Sequence, residues 1–183
     1  GVAEGRSVKA ILPGVANAVL TAEQLDTPLT HEHFAAAGSG LGAAGFIVYD
    51  DTMCMVEVAA MLSRFLYVES CGQCPPCKLG TGAITEALER IRDGEGGDGD
   101  LDTIQRRLQV VADANRCYLP VQERELISSF LRTYPEDVVA HLDGWCPSER
   151  GEPPVPKIVD LVGGMASYDA RQMLKRPDWT YAD

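Results

Sequence analysis

The sequence has no uninterrupted apolar run approaching the about 18 residues that a membrane-spanning helix needs, so direct membrane insertion is excluded. No apolar stretch follows the charged segment 1–9, so no export signal is expected. There is no Lys/Arg cluster, and the formal net charge is −11. With no basic surplus to neutralise phosphates, a nucleic-acid binder is excluded. An acidic surface still suits a partner protein that carries basic patches. Histidine is scarce: His31, His33 and His141 are the only ones, and by spacing none makes a ligand pair with a cysteine. No nucleophile–base arrangement emerges, so no catalytic residue is assigned. Internal repeats are also missing. The first residue is glycine rather than methionine, as in a piece of a longer protein.

What is present is a chain of 183 residues, 45% hydrophobic, which is long enough for one domain or two small ones with a real core. Six cysteines stand at 54, 71, 74, 77, 117 and 146. Three of them fall within seven residues, and a chain of this size does not need disulfide staples. Their use points to metal or redox chemistry in a reducing compartment, hence the cytoplasm.

Residues 1–50 read as mixed strand and helix. Arg6 to Leu12 alternates loosely as a strand ended by Pro13-Gly14, and Ala18 to Thr21 suits a second short strand. Thr30 is placed to cap a short helix through Ala37, and Phe46 to Tyr49 reads as a buried strand. Residues 51–146 are helical. Four apolar stripes recur at helical spacing: Met55, Ala59, Leu62, Leu66; Ile84, Ala87, Leu88, Ile91; Leu101, Ile104, Leu108, Val111; and Leu126, Ile127, Phe130, Leu131. Four one-sided helices can share one core, which is the pattern of a four-helix bundle. Asp100 is expected to cap the third helix, and Pro120 suits the first turn of the fourth. The run from Asp93 to Asp100 reads as a flexible solvated connection. As a calcium loop it fails, because Thr103 stands where the turn glycine belongs and Gln109 where the closing glutamate belongs. Residues 147–183 begin with a proline-stiffened linker. Lys157 to Val162 suits one edge strand, and Arg171 to Asp183 reads as an extended tail that packs on a surface.

The chemistry lies in residues 69–80, where Cys71, Cys74 and Cys77 form C-x2-C-x2-C. Two intervening residues let neighbouring thiolates converge, and a third at the same spacing wraps the loop around one inorganic core. Four irons need a fourth ligand, to be drawn from Cys54, Cys117 or Cys146. Cys117 lies between the third and fourth helices and can return to the start of the second in an up-and-down bundle, so it is the best candidate. Gly72 lets backbone N–H groups approach sulfur, Pro75 and Pro76 stiffen the loop, and Lys78 puts a cation beside the thiolates. Structural zinc is the competing use, but zinc sites usually take two separated pairs of ligands. Cys54 is expected to be an inert buried thiol. Cys146 is a reserve ligand at best, with a packed thiol as the plainer reading. Gly40 to Gly45 matches G-x-G-x-x-G, yet it precedes a strand instead of following one, so a turn is expected there and not a nucleotide site. Glu69 and Glu86 read as surface carboxylates.

The segment Glu-Ser-Cys-Gly-Gln-Cys-Pro-Pro-Cys-Lys-Leu-Gly, followed after 39 intervening residues by Cys117, resembles the C-terminal part of the flavin- and NADH-binding subunit of bacterial respiratory complex I. The same module occurs in NAD-linked hydrogenases and formate dehydrogenases. Lys9 to Gly14, Leu25 to Pro28 and Gly38 to Asp51 resemble that family's β-grasp soluble-ligand-binding domain. Asp51 to Val56 resembles its first bundle helix, and Asn115 to Cys117 with Pro120 to Gln122 its fourth-ligand segment. The resemblance covers roughly residues 5–135. It implies an α+β fold: a small β-grasp domain at 1–50, a four-helix iron–sulfur domain at 51–146 and an extended tail at 147–183. It implies that Cys71, Cys74, Cys77 and Cys117 hold one [4Fe–4S] cluster that relays single electrons in an NADH dehydrogenase-type oxidoreductase. FMN and NAD would then be bound by a domain that this chain lacks, so the chain by itself is expected neither to bind flavin nor to oxidise NADH. The implied partners are that flavin/NADH-binding domain or subunit and another iron–sulfur subunit, with the assembly peripheral on the cytoplasmic side of a membrane complex. Two features depart from the family: Tyr118-Leu119-Pro120 replaces a Leu-Gly-Asp-like stretch, and the tail from Pro147 has no counterpart. The alternative function is a non-redox interaction module pinned by a metal.

Overall fold

The computed structural model describes residues 2–146 and 153–182. Strand β1 (Val8–Pro13) lies between β2 (Leu20–Thr21) and β3 (Phe46–Asp50), both antiparallel to it. Side chains alternate across the sheet. Ala10 and Leu12 therefore enter the main core, while Ile11 faces the other way and packs with Leu20 and Phe34. Phe34 comes from α1 (His31–Ala36), whose N-cap Thr30 accepts a hydrogen bond from the His33 amide as expected. The expected burial of Phe46 to Tyr49 holds on one face only. Tyr49 is buried, whereas Phe46 and Val48 stay exposed on the side that a six-residue helix covers incompletely.

The four apolar stripes become α2 (Met55–Glu69), α3 (Pro75–Arg92), α4 (Asp98–Val110) and α5 (Leu119–Thr133). Every named stripe residue lies in the main core or packs against it, and the same core takes in Ala10, Leu12 and Tyr49 of the sheet. Sheet and helices are thus fused through one apolar interior. Buried Ser63 and Thr85 bond each other at 2.9 Å across α2 and α3, so these two hydroxyls are paired inside the core.

Three expectations are corrected. First, Asp100 is not the cap of α4. Gly97 is the cap, and Asp100 sits one turn inside, where its carboxylate accepts the Gly97 amide at 3.1 Å. The run 93–100 is therefore connection only as far as Gly97. Its last three residues are helical, and Asp100 is held by an ion pair with Arg90. Second, the chain makes a further helix, α6 (Pro135–Leu142), so six α-helices are present among the described residues. Its Asp137 accepts the Met55 amide at 2.7 Å and Lys9 Nζ at 2.7 Å, capping α2 from outside. Third, the lone edge strand at 157–162 is one arm of a hairpin. β4 (Ile158–Val162) pairs with β5 (Met165–Tyr168) across Gly163-Gly164. Both glycines have positive φ, +58° and +82°, as a two-residue hairpin turn with matching twist requires.

The C-terminal segment packs onto α2. Val155 enters the main core. Arg64 Nη2 donates to the carbonyls of Met173 and Lys175, each at 3.1 Å. Glu69 accepts Gln172 Nε2 at 2.9 Å and Lys175 Nζ at 2.7 Å. Glu69 is therefore a half-buried anchor rather than a free surface carboxylate, whereas Glu86 is exposed as expected. Residues 147–152, which include the start of the expected linker, lie outside the described residues.

Candidate metal centre

Helix α2 stops at Glu69, and the chain turns through 70–74 into α3. Gly72 adopts φ +77°, a left-handed conformation that glycine takes without strain. Cys74 is the N-cap of α3, with Pro75 and Pro76 in the first turn. Proline fits there because those amides have no helical partner to lose and its φ is already helical. Cys77 follows in the same turn and is buried, Cys74 is half-buried and Cys71 is exposed. The unpaired N–H groups and dipole of a helix N-terminus favour negative sulfur at this position.

Cys117 stands exposed between α4 and α5. Asn115 Nδ2 donates to the Cys117 carbonyl at 2.7 Å and shapes the segment locally, while Arg116 Nη1 donates to Gln73 Oε1 at 3.3 Å and ties it to the loop. Burial pushes the Cys77 thiol up; the Ser70 hydroxyl, 3.4 Å from its sulfur, works against this, and the charges of Cys117, Cys74 and Cys71 push it up further. The structure places Cys71, Cys74 and Cys77 in one loop at the start of α3 and ties the segment that carries Cys117 to that loop through Arg116.

Lys78 is near these thiols but is not aimed at them. Its ammonium donates to the carbonyls of Tyr67 at 3.1 Å, Ser70 at 3.0 Å and Pro177 at 2.7 Å, and lies 4.9 Å from the Tyr67 ring centroid. Burial holds its pKa below the ordinary lysine value, although the charges of Cys77, Cys71 and Asp178 act the other way. Lys78 thus serves first as a three-way tie between the end of α2 and the C-terminal segment, and acts on the cysteines through space.

The remaining cysteines meet elsewhere. Cys54 is fully buried as expected, but His141 Nε2 lies 3.1 Å from its sulfur. Cys146 is exposed instead of packed, and its thiol donates to Glu57 Oε1 at 3.4 Å. The donor atoms of Cys54, His141 and Cys146 all lie within 4.8 Å of one another. The expectation that no histidine joins a cysteine is therefore overturned for His141. His31 and His33 are exposed, as expected. The pairing escaped sequence reading because 87 positions separate Cys54 from His141.

A cysteine loop at a helix N-terminus, on a mixed helix-and-sheet frame, is an arrangement that thiolate-bound metal centres use. Residues 57–141 match the family described as the NADH-ubiquinone oxidoreductase-F iron-sulfur binding region. Over 144 residues it is 35% identical to the F 2 subunit of NADH-quinone oxidoreductase from Rhizobium meliloti (strain 1021), covering 78% of this chain and 34% of that protein. It is 33% identical over 144 residues to the NADP-reducing hydrogenase subunit HndC of Solidesulfovibrio fructosivorans, covering 78% and 29%. Among solved structures, the NAD+-reducing [NiFe]-hydrogenase in the H2-reduced state superposes with a TM-score of 0.67 at 25% identity, over 76% of this chain and 24% of that one. The chain spans about a third of the length of the curated relatives it matches.

Proposed function

We propose that this chain is the electron-transfer module of an NADH-linked oxidoreductase, with Cys71, Cys74, Cys77 and Cys117 as the ligands of one [4Fe–4S] cluster. The observation that supports this reading is the Arg116–Gln73 contact, which ties the segment carrying Cys117 to the loop carrying Cys71, Cys74 and Cys77. The donor set fits such a group. It is all thiol, it sits on a helix N-terminus, and Gly72 gives the loop the left-handed turn that a wrapped ligand needs. One tetrahedral zinc would hold sulfurs about 3.8 Å apart. Among the described residues no three of these four sulfurs come within 4.8 Å of one another.

When bound, the cluster supplies storage and release of single electrons. The chain's own residues do the rest. The α3 N-terminus and the nearby Lys78 charge stabilise added negative charge, which favours the reduced state. Ser70 offers its hydroxyl to the Cys77 sulfur. Leu79 and Tyr118, 66% and 56% exposed, give the cysteine mouth an apolar rim against which a partner can exclude water. We assign FMN and NAD to a flavin-binding domain or subunit elsewhere, and the onward acceptor to another iron–sulfur subunit. In this reading residues 1–50 are a β-grasp unit, 51–146 a four-helix iron–sulfur unit and 147–183 an extended C-terminal tail. The assembly works in the cytoplasm. No helix among the described residues is long and apolar enough to cross a membrane, which suits a peripheral position.

Anaerobic purification tests the reading. A brown protein with about four irons and four sulfides per chain is expected, reducible by dithionite to a paramagnetic state. Cys117→Ser is expected to lose most of that iron while keeping its helical content. A colourless chain with a single zinc held in the Cys71–Cys77 loop, and no reducible centre after cluster reconstitution, would replace the relay with a metal-pinned interaction module.

A further inference from the structure

We propose that Cys54, His141 and Cys146 form a zinc site of their own, with Glu57 as its fourth donor. The three sulfur and nitrogen donors lie within 4.8 Å of one another, the crowding expected around a single ion. Two thiolates, an imidazole and a carboxylate are a donor set that zinc takes readily.

Two further observations point to a cation. His141 Nδ1 lies 2.8 Å from the Arg92 carbonyl. A carbonyl only accepts, so Nδ1 carries the proton, and in the neutral ring Nε2 is left with a bare lone pair. That lone pair faces the Cys54 sulfur. Fixing a ring by a backbone carbonyl on its far nitrogen is how metal-binding histidines are oriented. Secondly, Glu57 Oε1 is 3.4 Å from the Cys146 sulfur, while Glu57 Oε2 is buried with no hydrogen-bond partner. A tetrahedral ion with Zn–S of about 2.3 Å and Zn–O of about 2.0 Å sets sulfur and oxygen about 3.5 Å apart, so Glu57 stands at ligand spacing from Cys146, although it lies outside the 4.8 Å group and must move in to reach the ion. A thiol–imidazole hydrogen bond alone would explain Cys54 and His141. It would explain neither the third donor nor the buried carboxylate oxygen.

The site is separate from the cysteine loop. Arg92, whose carbonyl orients His141, stands fifteen positions beyond Cys77 on the same helix, or about 22 Å along it. The four donors come from the cap and first turn of α2, the last turn of α6 and the chain just beyond α6. Bound zinc would therefore pin the end of α6 to the start of α2, the same ends that Asp137 already joins through the Met55 amide.

The test is zinc and iron content of the anaerobically purified 183-residue chain, with zinc-edge X-ray absorption on the same sample. The expected result is one zinc per chain in addition to the iron, in a shell of two sulfurs and two nitrogen or oxygen donors. Cys77→Ser is expected to keep that zinc. Cys146→Ser, at an exposed position, is expected to hold it more than about tenfold more weakly against a competing chelator. The proposal fails if zinc added to the parent chain does not bind, or if Cys54 and Cys146 are found joined as a disulfide. It also fails if the zinc leaves with Cys77→Ser but not with Cys146→Ser. The parent chain's own stoichiometry and sulfur count decide the matter even if a variant does not fold.

Discussion

Gly80 of α3 lies directly beneath Val111 at the end of α4, so close that a Cβ on Gly80 would stand 2.9 Å from Val111 Cγ2 and 3.2 Å from its Cβ. Val111 is fully buried and its branched side chain cannot swing aside. The absent methyl therefore sets how closely α4 approaches the first turns of α3. That approach matters because Cys77 is three residues before Gly80, and Cys117 is six residues after Val111.

Gly80→Ala separates two effects of opposite sign. Helix propensity alone favours alanine by about 1 kcal/mol. Overpacking against Val111 costs about 1–3 kcal/mol and lifts the Cys117 segment off the loop. The expected outcome is a lower melting temperature and less iron retained per chain, with Gly80→Val worse on both counts. A variant that melts higher and holds its full iron would show that α4 does not position Cys117.

The ion pair between Lys175 and Glu69 anchors the C-terminal segment beside the cysteine loop. Burial alone would raise the Glu69 pKa, but the hydrogen bonds from Lys175 and Gln172 outweigh it and hold the carboxyl below its ordinary value of 4.5. A depressed carboxyl contributes stability that is present above the unfolded pKa and lost as pH falls through the folded one. The anchor should therefore be insensitive to pH between 6 and 8 and weaken only below about 4.5. Lys175→Met is expected to remove about 1–2 kcal/mol from the docking of residues 153–182 at neutral pH. Limited proteolysis of that segment, with pepsin on the acid side, reads both effects. Equal cleavage of variant and parent at neutral pH would dismiss the anchor.

The features legible in the sequence are those written at short range. The stripes of α2 to α5 follow a 3.6-residue period, and the three clustered cysteines share one loop, so both can be read from spacing. Cys117 needed one topological step, the return of an up-and-down bundle. Helix α6 was missed because Pro135 follows α5 after a single residue and only eight residues carry its pattern. With α6 unseen, neither the cap Asp137 gives α2 nor the meeting of His141 with Cys54 was visible. The second arm of the C-terminal hairpin, Met-Ala-Ser-Tyr, has no β-branched residue, although Gly163-Gly164 marks its turn. Glu123 was hidden for another reason. It sits in a run of charged and polar residues, Gln122 to Glu125, and only the packing of α5 on α2 turns it inward.

Glu123 yields the last prediction. It is fully buried, Ser63 Oγ donates to its Oε1 at 2.6 Å, and Oε2 has no hydrogen-bond partner. Burial raises its pKa from 4.5 to about 8, and the Ser63 hydrogen bond offsets this only in part. At neutral pH the folded protein therefore holds a proton there that the unfolded chain has released. A raised folded pKa means the associated stability is fully present below about 4.5 and declines as pH rises through about 8. The slope from one such group reaches about 1.4 kcal/mol per pH unit. Glu123→Gln keeps an acceptor for Ser63 and removes the titration. Urea midpoints of the two proteins, measured anaerobically from pH 5 to pH 8, are expected to diverge in favour of the variant as pH rises. Parallel curves would mean that the carboxyl is already ionised inside the fold, with a cation or water compensating it. The direction of divergence is diagnostic, because a lost surface carboxylate would leave the pH dependence unchanged over this range.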